Sequence, residues 1–483
     1  MKLENIKNYI GGKFREPTGG QYLENYEPAT GKVYSYIPDS DERDVEAAVG
    51  AASAARSDWA GLKPEERAKW MMKLADAIEN DMDLYVAAES KDTGKPVSLA
   101  RAMDIPRAVS NFRFFAHAIT QFSSESHFMQ GVGINYTLRS PLGVIGCISP
   151  WNLPLYLFSW KIAPALAAGN TVVAKPSEVT PYTAWLLSKT CEETGFPPGV
   201  LNIVHGLGHK TGEAICSHPE VKAISFTGGT ATGKRIASVA APMFKKLSLE
   251  LGGKNPNIIF ADCDYEEMLS VSVRSSFANQ GQICLCGSRI YVERPLYEKF
   301  RKDFISRVSG LVTGDPHDGE TNIGALVSEQ HMNKILSYID LARQEGGTVL
   351  TGGEKIIAGG RCSEGWFVTP AVIEGLDQSC RTNQEEIFGP VVTIAPFDTE
   401  EEVLAYANGT GYGLSATLWT QDLNRAHRMA EKIESGILWI NCWLIRDLRT
   451  PFGGVKHSGV GREGGLEALR FFTEPKNICI KYH

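Results

Sequence analysis

The 483-residue sequence has no basic excess, no dense cysteine cluster, no uninterrupted apolar run of membrane length, no internal repeat and no low-complexity linker. Each absence removes a class of protein. Lys and Arg number 49 against 56 Asp and Glu, a formal net charge of −7. No basic field is present to attract phosphates, so nucleic acid is not expected as a partner. The ten cysteines, at 147, 191, 216, 263, 284, 286, 362, 380, 442 and 479, are too dispersed for a small disulfide scaffold. The most apolar stretch, 151–174, is broken by Asn152, Pro154, Lys161, Pro164 and Asn170, a polar load that a bilayer span would not tolerate cheaply. Residues 1–7 hold no apolar segment of the kind a signal peptide needs. The expectation is a cytoplasmic protein with reduced thiols and no membrane contact. A hydrophobic content of 43% with 22% charge excludes disordered and fibrous classes. The length exceeds what one core usually serves, so two or more domains are expected.

What the sequence has in excess is glycine: 48 residues, about a tenth of the chain against a usual share of roughly 7%. The glycines punctuate a regular pattern. Residues 41–95 read as helices, one opening on Pro64 at an N1-like position. From 138 onward short apolar runs alternate with helical segments. Strands are expected at 144–148, 171–174, 200–204 and 223–226, with helices at 160–168, 181–194, 210–217 and 233–241. A second series gives strands at 257–260, 288–292, 391–397 and 416–419, with helices at 265–278, 295–311 and 329–345. Apolar strands separated by helices imply an α/β fold with parallel sheets covered on both faces and ligands at the carboxyl ends of strands.

Several segments carry candidate chemistry. Phe226-Thr227-Gly228-Gly229-Thr230-Ala231-Thr232-Gly233-Lys234-Arg235 runs from a strand through glycines into a helix. Glycine lets backbone N–H groups approach a phosphate at the helix N-terminus. The spacing fits a P-loop until Arg235, where a magnesium-binding Ser or Thr should stand; Asp262 would be its acidic partner. A dinucleotide-binding turn and a turn without ligand fit equally, and spacing alone leaves the three open. Cys284 follows the turn Asn279-Gln280-Gly281-Gln282-Ile283. A thiol nucleophile needs exposure and a lowered pKa, whereas most cysteines are buried hydrophobes. Cys284-x-Cys286 has no partner ligands at zinc-type spacing, so no metal is expected. Glu250 is a lone acid among leucines, either a buried general base or the outward residue of an alternating strand. Asn152, after a strand, could donate to a developing oxyanion, and Lys175 and Glu178 could hold ribose hydroxyls.

In order along the chain, Pro150-Trp151-Asn152, Lys175-Pro176-Ser177-Glu178, Phe226-Thr227-Gly228, Glu250-Leu251-Gly252-Gly253-Lys254, Gly281-Gln282-Ile283-Cys284, Glu385-Glu386-Ile387-Phe388-Gly389-Pro390 and Pro451-Phe452-Gly453-Gly454 together resemble the aldehyde dehydrogenase superfamily. The resemblance implies a Rossmann-like NAD-binding domain (1–120 and 140–252), an α/β catalytic domain (253–457) and a small β oligomerisation arm (121–139 and 465–483), in a homodimer or homotetramer. It implies Cys284 as nucleophile, Asn152 as oxyanion donor and Glu250 as the base that activates water. Trp151, Lys175, Ser177, Glu178, Phe226, Thr227, Gly228, Gly229, Gly233, Leu251, Glu386 and Phe388 would hold the cofactor. Glu178 would repel a 2′-phosphate, favouring NAD over NADP. Gly229 departs from relatives that carry Ser there. The P-loop becomes a remote alternative, as does a family member retained without catalysis.

Met103-Asp104-Ile105-Pro106-Arg107 and Asn441-Cys442-Trp443-Leu444-Ile445-Arg446-Asp447-Leu448 resemble one branch, the 2-aminomuconic and 2-hydroxymuconic semialdehyde dehydrogenases. The resemblance implies that Arg107 and Arg446 clamp a substrate carboxylate, with Leu153, Trp160 and Phe452 in the same pocket. Guanidinium suits that task because it stays charged and binds carboxylate bidentately. An apolar pocket of Trp160, Trp443, Leu444 and Phe452 leaves retinal, or a broad range of aldehydes, as the alternative substrate.

Overall fold

A computed structural model describes residues 3–482. The apolar runs form the centres of two sheets. Lys246–Glu250, Val221–Thr227, Val144–Ile148, Thr171–Lys175 and Leu201–Ile203 lie side by side and parallel. Val144–Ile148 and Thr171–Lys175 are buried along their whole length, as strands covered on both faces must be. Antiparallel strands complete this sheet of eight: Asn8–Ile10 and Lys13–Arg15 at one edge, Gly459–Val460 at the other. The second sheet, of seven strands, runs in the order Thr348–Thr351, Ala371–Glu374, Val391–Phe397, Gly287–Glu293, Asn255–Ile259, Ser415–Trp419 and Ile437–Ile440, parallel except for the first pairing.

The helices follow the apolar periodicity. Pro64 opens Pro64–Asn80, where its missing N–H costs nothing, and Met71, Leu74, Ala75 and Ile78 bury one face. Pro154–Ala167 is buried on every side. It overlaps the expected 160–168 helix but begins six residues earlier, with Pro154 in the first helical turn. The expected helix 210–217 begins instead as a π turn, Gly208–Gly212. Among the described residues no helix is long and apolar enough to cross a membrane.

A third, antiparallel sheet joins Ser126–Met129, Gly133–Pro141 and Thr473–Lys481, with Thr473 opposite Pro141 and Lys481 opposite Gly133. It exposes Phe128, Leu138 and Ile480. Near the C-terminus the chain returns to the first sheet, where Val460 pairs with Leu249 and Gly459 with Glu250. The carboxyl end of Lys246–Glu250 is thereby fixed from both sides.

Glycine is required at Gly281, where φ is +70° and a Cβ would lie 2.1 Å from the Gly389 carbonyl oxygen. At Gly229 a Cβ would meet nothing within 4 Å. Gly281→Ala is therefore expected to lower the thermal unfolding midpoint through strain of about 1–3 kcal/mol or more, while Gly229→Ala stays near the parent; equal midpoints would contradict the packing described.

Candidate active site

The segment before Cys284 is held in an unfavourable shape. After helix Tyr265–Phe277 the backbone passes through Asn279 (φ 52°), Gln280 (φ 56°) and Gly281 (φ 70°). Left-handed φ at two non-glycine residues costs energy, so side chains must hold them. Asn279 Nδ2 donates to the carbonyls of Asn152 (3.0 Å) and Gln282 (3.1 Å), and Gln280 Nε2 donates to Ala325 O at 2.8 Å. Asn255 Nδ2 then donates to the carbonyls of Cys284 (2.7 Å) and Cys286 (2.9 Å). Cys284 keeps part of its surface open, whereas Cys286 is buried.

Cys284 faces a cavity of about 240 Å³. Trp151, Asn152, Thr227, Gly228, Gly229, Leu251, Glu386 and Phe388 line it too, so seven of the twelve residues expected to hold the cofactor meet there with Cys284 and Asn152, while Glu250 and the expected substrate residues do not line it. Phe226 and Gly233 act behind the wall. A Cβ on Gly228 would lie 2.4 Å from the Phe226 ring, and one on Gly233 would lie 2.5 Å from Leu251. The glycine turn therefore packs tightly inward while leaving Gly229 open. Gly253 N–H donates to Glu386 Oε1 at 2.9 Å. Lys175, Ser177 and Glu178 do not line this cavity. They stand just past strand Thr171–Lys175, where Lys175 Nζ donates to Glu178 Oε2 at 2.9 Å and Gly208 N–H to Glu178 Oε1 at 3.3 Å. Burial alone would raise the Glu178 pKa, but Lys175 and these donors hold it below the usual carboxylate range.

The wall suits a nicotinamide dinucleotide. It offers open glycine backbone, a carboxylate held by a backbone N–H, and the buried Thr227 Oγ1, which has no hydrogen-bond partner among the described residues. Arg235, by contrast, pairs with Glu213 at 2.5 Å, and Asp262 accepts from Thr420 Oγ1 at 3.0 Å. Both are taken by protein partners away from the cavity, which removes the support for a P-loop.

Two lining residues, His331 and Lys334, were not identified from sequence, because their helix Glu329–Gln344 carries no recognisable motif. His331 Nε2 lies 2.7 Å from Phe388 O and its ring meets Trp151 edge-on at 5.0 Å. Burial pushes its pKa down to about 4, so the imidazole is neutral at pH 7. It braces Phe388, whose φ is 64°.

Glu250 ends its strand with 3% of its surface exposed and faces inward rather than to solvent. Both of its carboxylate oxygens are buried without a hydrogen-bond partner among the described residues. A Cβ on Gly453 would lie 2.6 Å from Oε1. Burial first, then the nearby Glu463, raise its pKa well above the carboxylate range, against the pull of Lys161 and Arg446. Glu463 is itself paired with buried Lys161 at 2.9 Å.

The Cys284 thiol departs from the lowered pKa expected of a nucleophile. Burial pushes it far above the usual thiol range, Glu386 and Glu250 add to that, and Arg446 opposes it. Two carboxylates and little solvent surround the sulfur, so the thiol keeps its proton until a base takes it.

At the other end, Arg446 follows a loop with positive φ at Asn441 and Leu444. Its guanidinium carbon lies 3.8 Å from the Phe452 ring centroid and 4.3 Å from that of Trp160. Nη1 donates to Tyr156 Oη at 3.3 Å, but Nε and Nη2 are buried with no partner among the described residues. Arg107 stacks over the Tyr156 ring at 5.4 Å, close enough that its charge lowers the Arg446 pKa, after burial and against the pull of Tyr156. Trp160 Nε1 is also buried with no partner among the described residues. Leu153 is buried in the same cluster as Phe452 and Trp443.

A family model described as the aldehyde dehydrogenase family matches residues 14–478. The chain is 52% identical over 485 residues to a 2-aminomuconic semialdehyde dehydrogenase of Danio rerio, covering 100% of this chain and 99% of that one. It is 47% identical to a 2-hydroxymuconic semialdehyde dehydrogenase of Pseudomonas sp. (strain CF600), covering 99% and 100%. An NAD+ complex of an aldehyde dehydrogenase from Bacillus cereus superposes with a TM-score of 0.96 at 40% identity, covering 99% of this chain and 97% of that one.

A thiol with a raised pKa becomes a thiolate only as pH rises. Alkylation of Cys284 in the ligand-free protein by iodoacetamide is therefore expected to quicken continuously from pH 7 to about 9.5; a plateau below pH 8 would contradict the environment described.

Proposed function

The chain belongs to the aldehyde dehydrogenase family, and on that premise we propose that it oxidises a semialdehyde with a carboxylate at its far end to the dicarboxylic acid, using NAD. The substrates best supported are 2-aminomuconic and 2-hydroxymuconic semialdehydes, after which relatives 46–52% identical are named. The observation that carries the reading is Arg446: a buried guanidinium with two unpaired nitrogens beside a second arginine. An unpaired buried charge costs several kcal/mol, and a substrate carboxylate would complete it. Retinal, which is neutral, would leave it uncompensated.

Thr227, the Gly228–Gly229 backbone, Trp151, Leu251, Glu386 and Phe388 would hold the nicotinamide end of the cofactor, and Lys175, Ser177 and Glu178 the ribose further along the sheet. The Glu178 carboxylate favours NAD, since it would repel a 2′-phosphate. A bound nicotinamide supplies the acceptor for hydride. The chain's own residues do the rest. Cys284 gives its proton to Glu250, which releases it to solvent before the hydrolytic step, and bonds through Sγ to the aldehyde carbon. The oxygen becomes an oxyanion, received by the Cys284 N–H and by Asn152. Asn152 Nδ2 has two hydrogens; one goes to Gln282 O at 2.9 Å, which leaves the other for the oxyanion. Loss of hydride leaves a thioester on Sγ. Glu250, with its raised pKa, takes a proton from water, and the hydroxide so formed displaces Sγ to release the acid.

The sheet pairings support reading residues 1–120 and 140–252 as the cofactor domain and 253–457 as the catalytic domain. The apolar arm formed by 121–139 and 465–483, with Phe128 67% exposed, supports a homodimer or homotetramer. We assign the protein to the cytoplasm on its dispersed free thiols.

Arg446→Met tests the reading. It is expected to raise KM for the semialdehyde by roughly 30-fold to more than 1,000-fold, from the 2–5 kcal/mol carried by a buried charge pair. KM for propanal should stay within a few-fold, and the unfolding midpoint should hold or rise as a buried unpaired charge is removed. An unchanged semialdehyde KM would overturn the clamp.

A further inference from the structure

Behind the oxyanion side of the cavity lies a buried ionic cluster with no part in the steps above. Helix Met82–Thr93 ends at Gly94, φ 77°, and the turn carries Lys95 into the interior. The side chains of Lys95, Glu89 and Asp104 have no exposed surface. Lys95 Nζ donates to Asp104 Oδ1 at 2.8 Å and to the main-chain carbonyl of Asn152 at 3.1 Å, and lies 3.9 Å from Glu89 Oε1. The Asn152 carbonyl also accepts from Asn279 Nδ2, which belongs to the strained turn before Cys284. Glu89 Oε2 accepts from Leu155 N–H at 3.4 Å, in the first turn of the helix that follows Asn152. Asp104 closes the π turn Ala100–Asp104, three residues before Arg107.

Three ionisable groups in the interior are a costly way to gain stability, with burial pushing Glu89 up to about 8, and apolar residues of similar size would serve that end as well or better. The cluster does something apolar residues cannot. One ammonium group joins the turn carrying Asn152 to the turn carrying Arg107. Fixing the Asn152 carbonyl fixes its Cα–Cβ direction, and with it the amide that faces the oxyanion. We infer that Lys95 is a positioning residue that holds Asn152 in register with Cys284 and with the carboxylate clamp. The inference rests on the reading of Asn152 as oxyanion donor.

The test needs no cofactor. Cys284 can attack 4-nitrophenyl acetate: an S–C bond forms, the ester C–O bond breaks, 4-nitrophenolate leaves, and the oxyanion passes through the same donors. Acylation rates would be measured for Asn152→Ala, Lys95→Met, their combination, and the neutral triple variant Glu89→Gln, Lys95→Met, Asp104→Asn. Misplacing a donor by about 1 Å can cost roughly 100-fold. Lys95→Met is expected to slow acylation about 10- to 100-fold with the half-saturating ester concentration within 3-fold. The combined variant should be no slower than Asn152→Ala alone, because the two act through one amide. Multiplicative losses in the combined variant, or parental rates in both Lys95→Met and the triple variant, would overturn the inference. So would failure of both to fold, which would assign the cluster to stability. If Asn152→Ala itself acylates at the parental rate, the oxyanion reading falls; if it slows acylation and Lys95→Met does not, only the positioning role falls.

Discussion

Two buried ionisable side chains without hydrogen-bond partners for most of their polar atoms are the constraint around which this molecule is arranged. Among the described residues Glu250 presents two buried oxygens with no donor, and Arg446 two buried nitrogens with no acceptor. Each would be cheaper to satisfy or to replace, because a buried ionisable group without a partner costs several kcal/mol. Neither is satisfied by the other, although Arg446 opposes the rise in the Glu250 pKa. Such a site is stable only if the surrounding structure pays the cost. The two parallel sheets, the all-buried helix Pro154–Ala167 and the return strand Gly459–Val460 supply that rigidity.

The same constraint explains the pairing of charges around the cavity. Lys161 and Glu463 neutralise each other one step behind Glu250, while Lys95 is matched by Asp104 and Glu89 behind Asn152. Glu250 and Arg446 keep buried atoms without partners among the described residues, while Lys161 and Lys95 have a carboxylate at 2.9 and 2.8 Å respectively. Strain is distributed similarly. Positive φ at Asn279 and Gln280 leads into Cys284, at Phe388 into the cofactor wall, and at Asn441 and Leu444 toward Arg446. Each kinked segment is tied by side-chain hydrogen bonds from a distant part of the chain, as with Asn255 on the carbonyls of Cys284 and Cys286 and His331 on Phe388. Preorganisation of this kind is what lets donors meet developing charge without reorganising.

Much of this was legible in the sequence. The strand at 391–397 emerges with the expected bounds, because a buried parallel strand leaves a continuous apolar run. Helix Pro64–Asn80 was marked by its proline and its apolar spacing. Cys284, Asn152 and Glu250 were singled out because the motifs that hold them occur together in one order along the chain, although each residue alone reads as an ordinary loop or strand residue. What stayed hidden depends on contacts between residues far apart in the chain. Lys95 touches Asn152 across 57 positions, and Lys161 touches Glu463 across 302. His331 lies on a helix whose sequence marks only its amphipathic face. The raised pKa of Cys284 depends first on burial and then on Glu386 and Glu250, which approach it only once both sheets are assembled.

The central claim is that Arg446 awaits a carboxylate. The most direct measurement compares kcat/KM for a six-carbon ω-carboxylated semialdehyde with that for its methyl ester, which has the same length and aldehyde but no charge. A fall of about 100-fold or more on esterification is predicted, the scale of one desolvated charge pair. Equal values for acid and ester would contradict it.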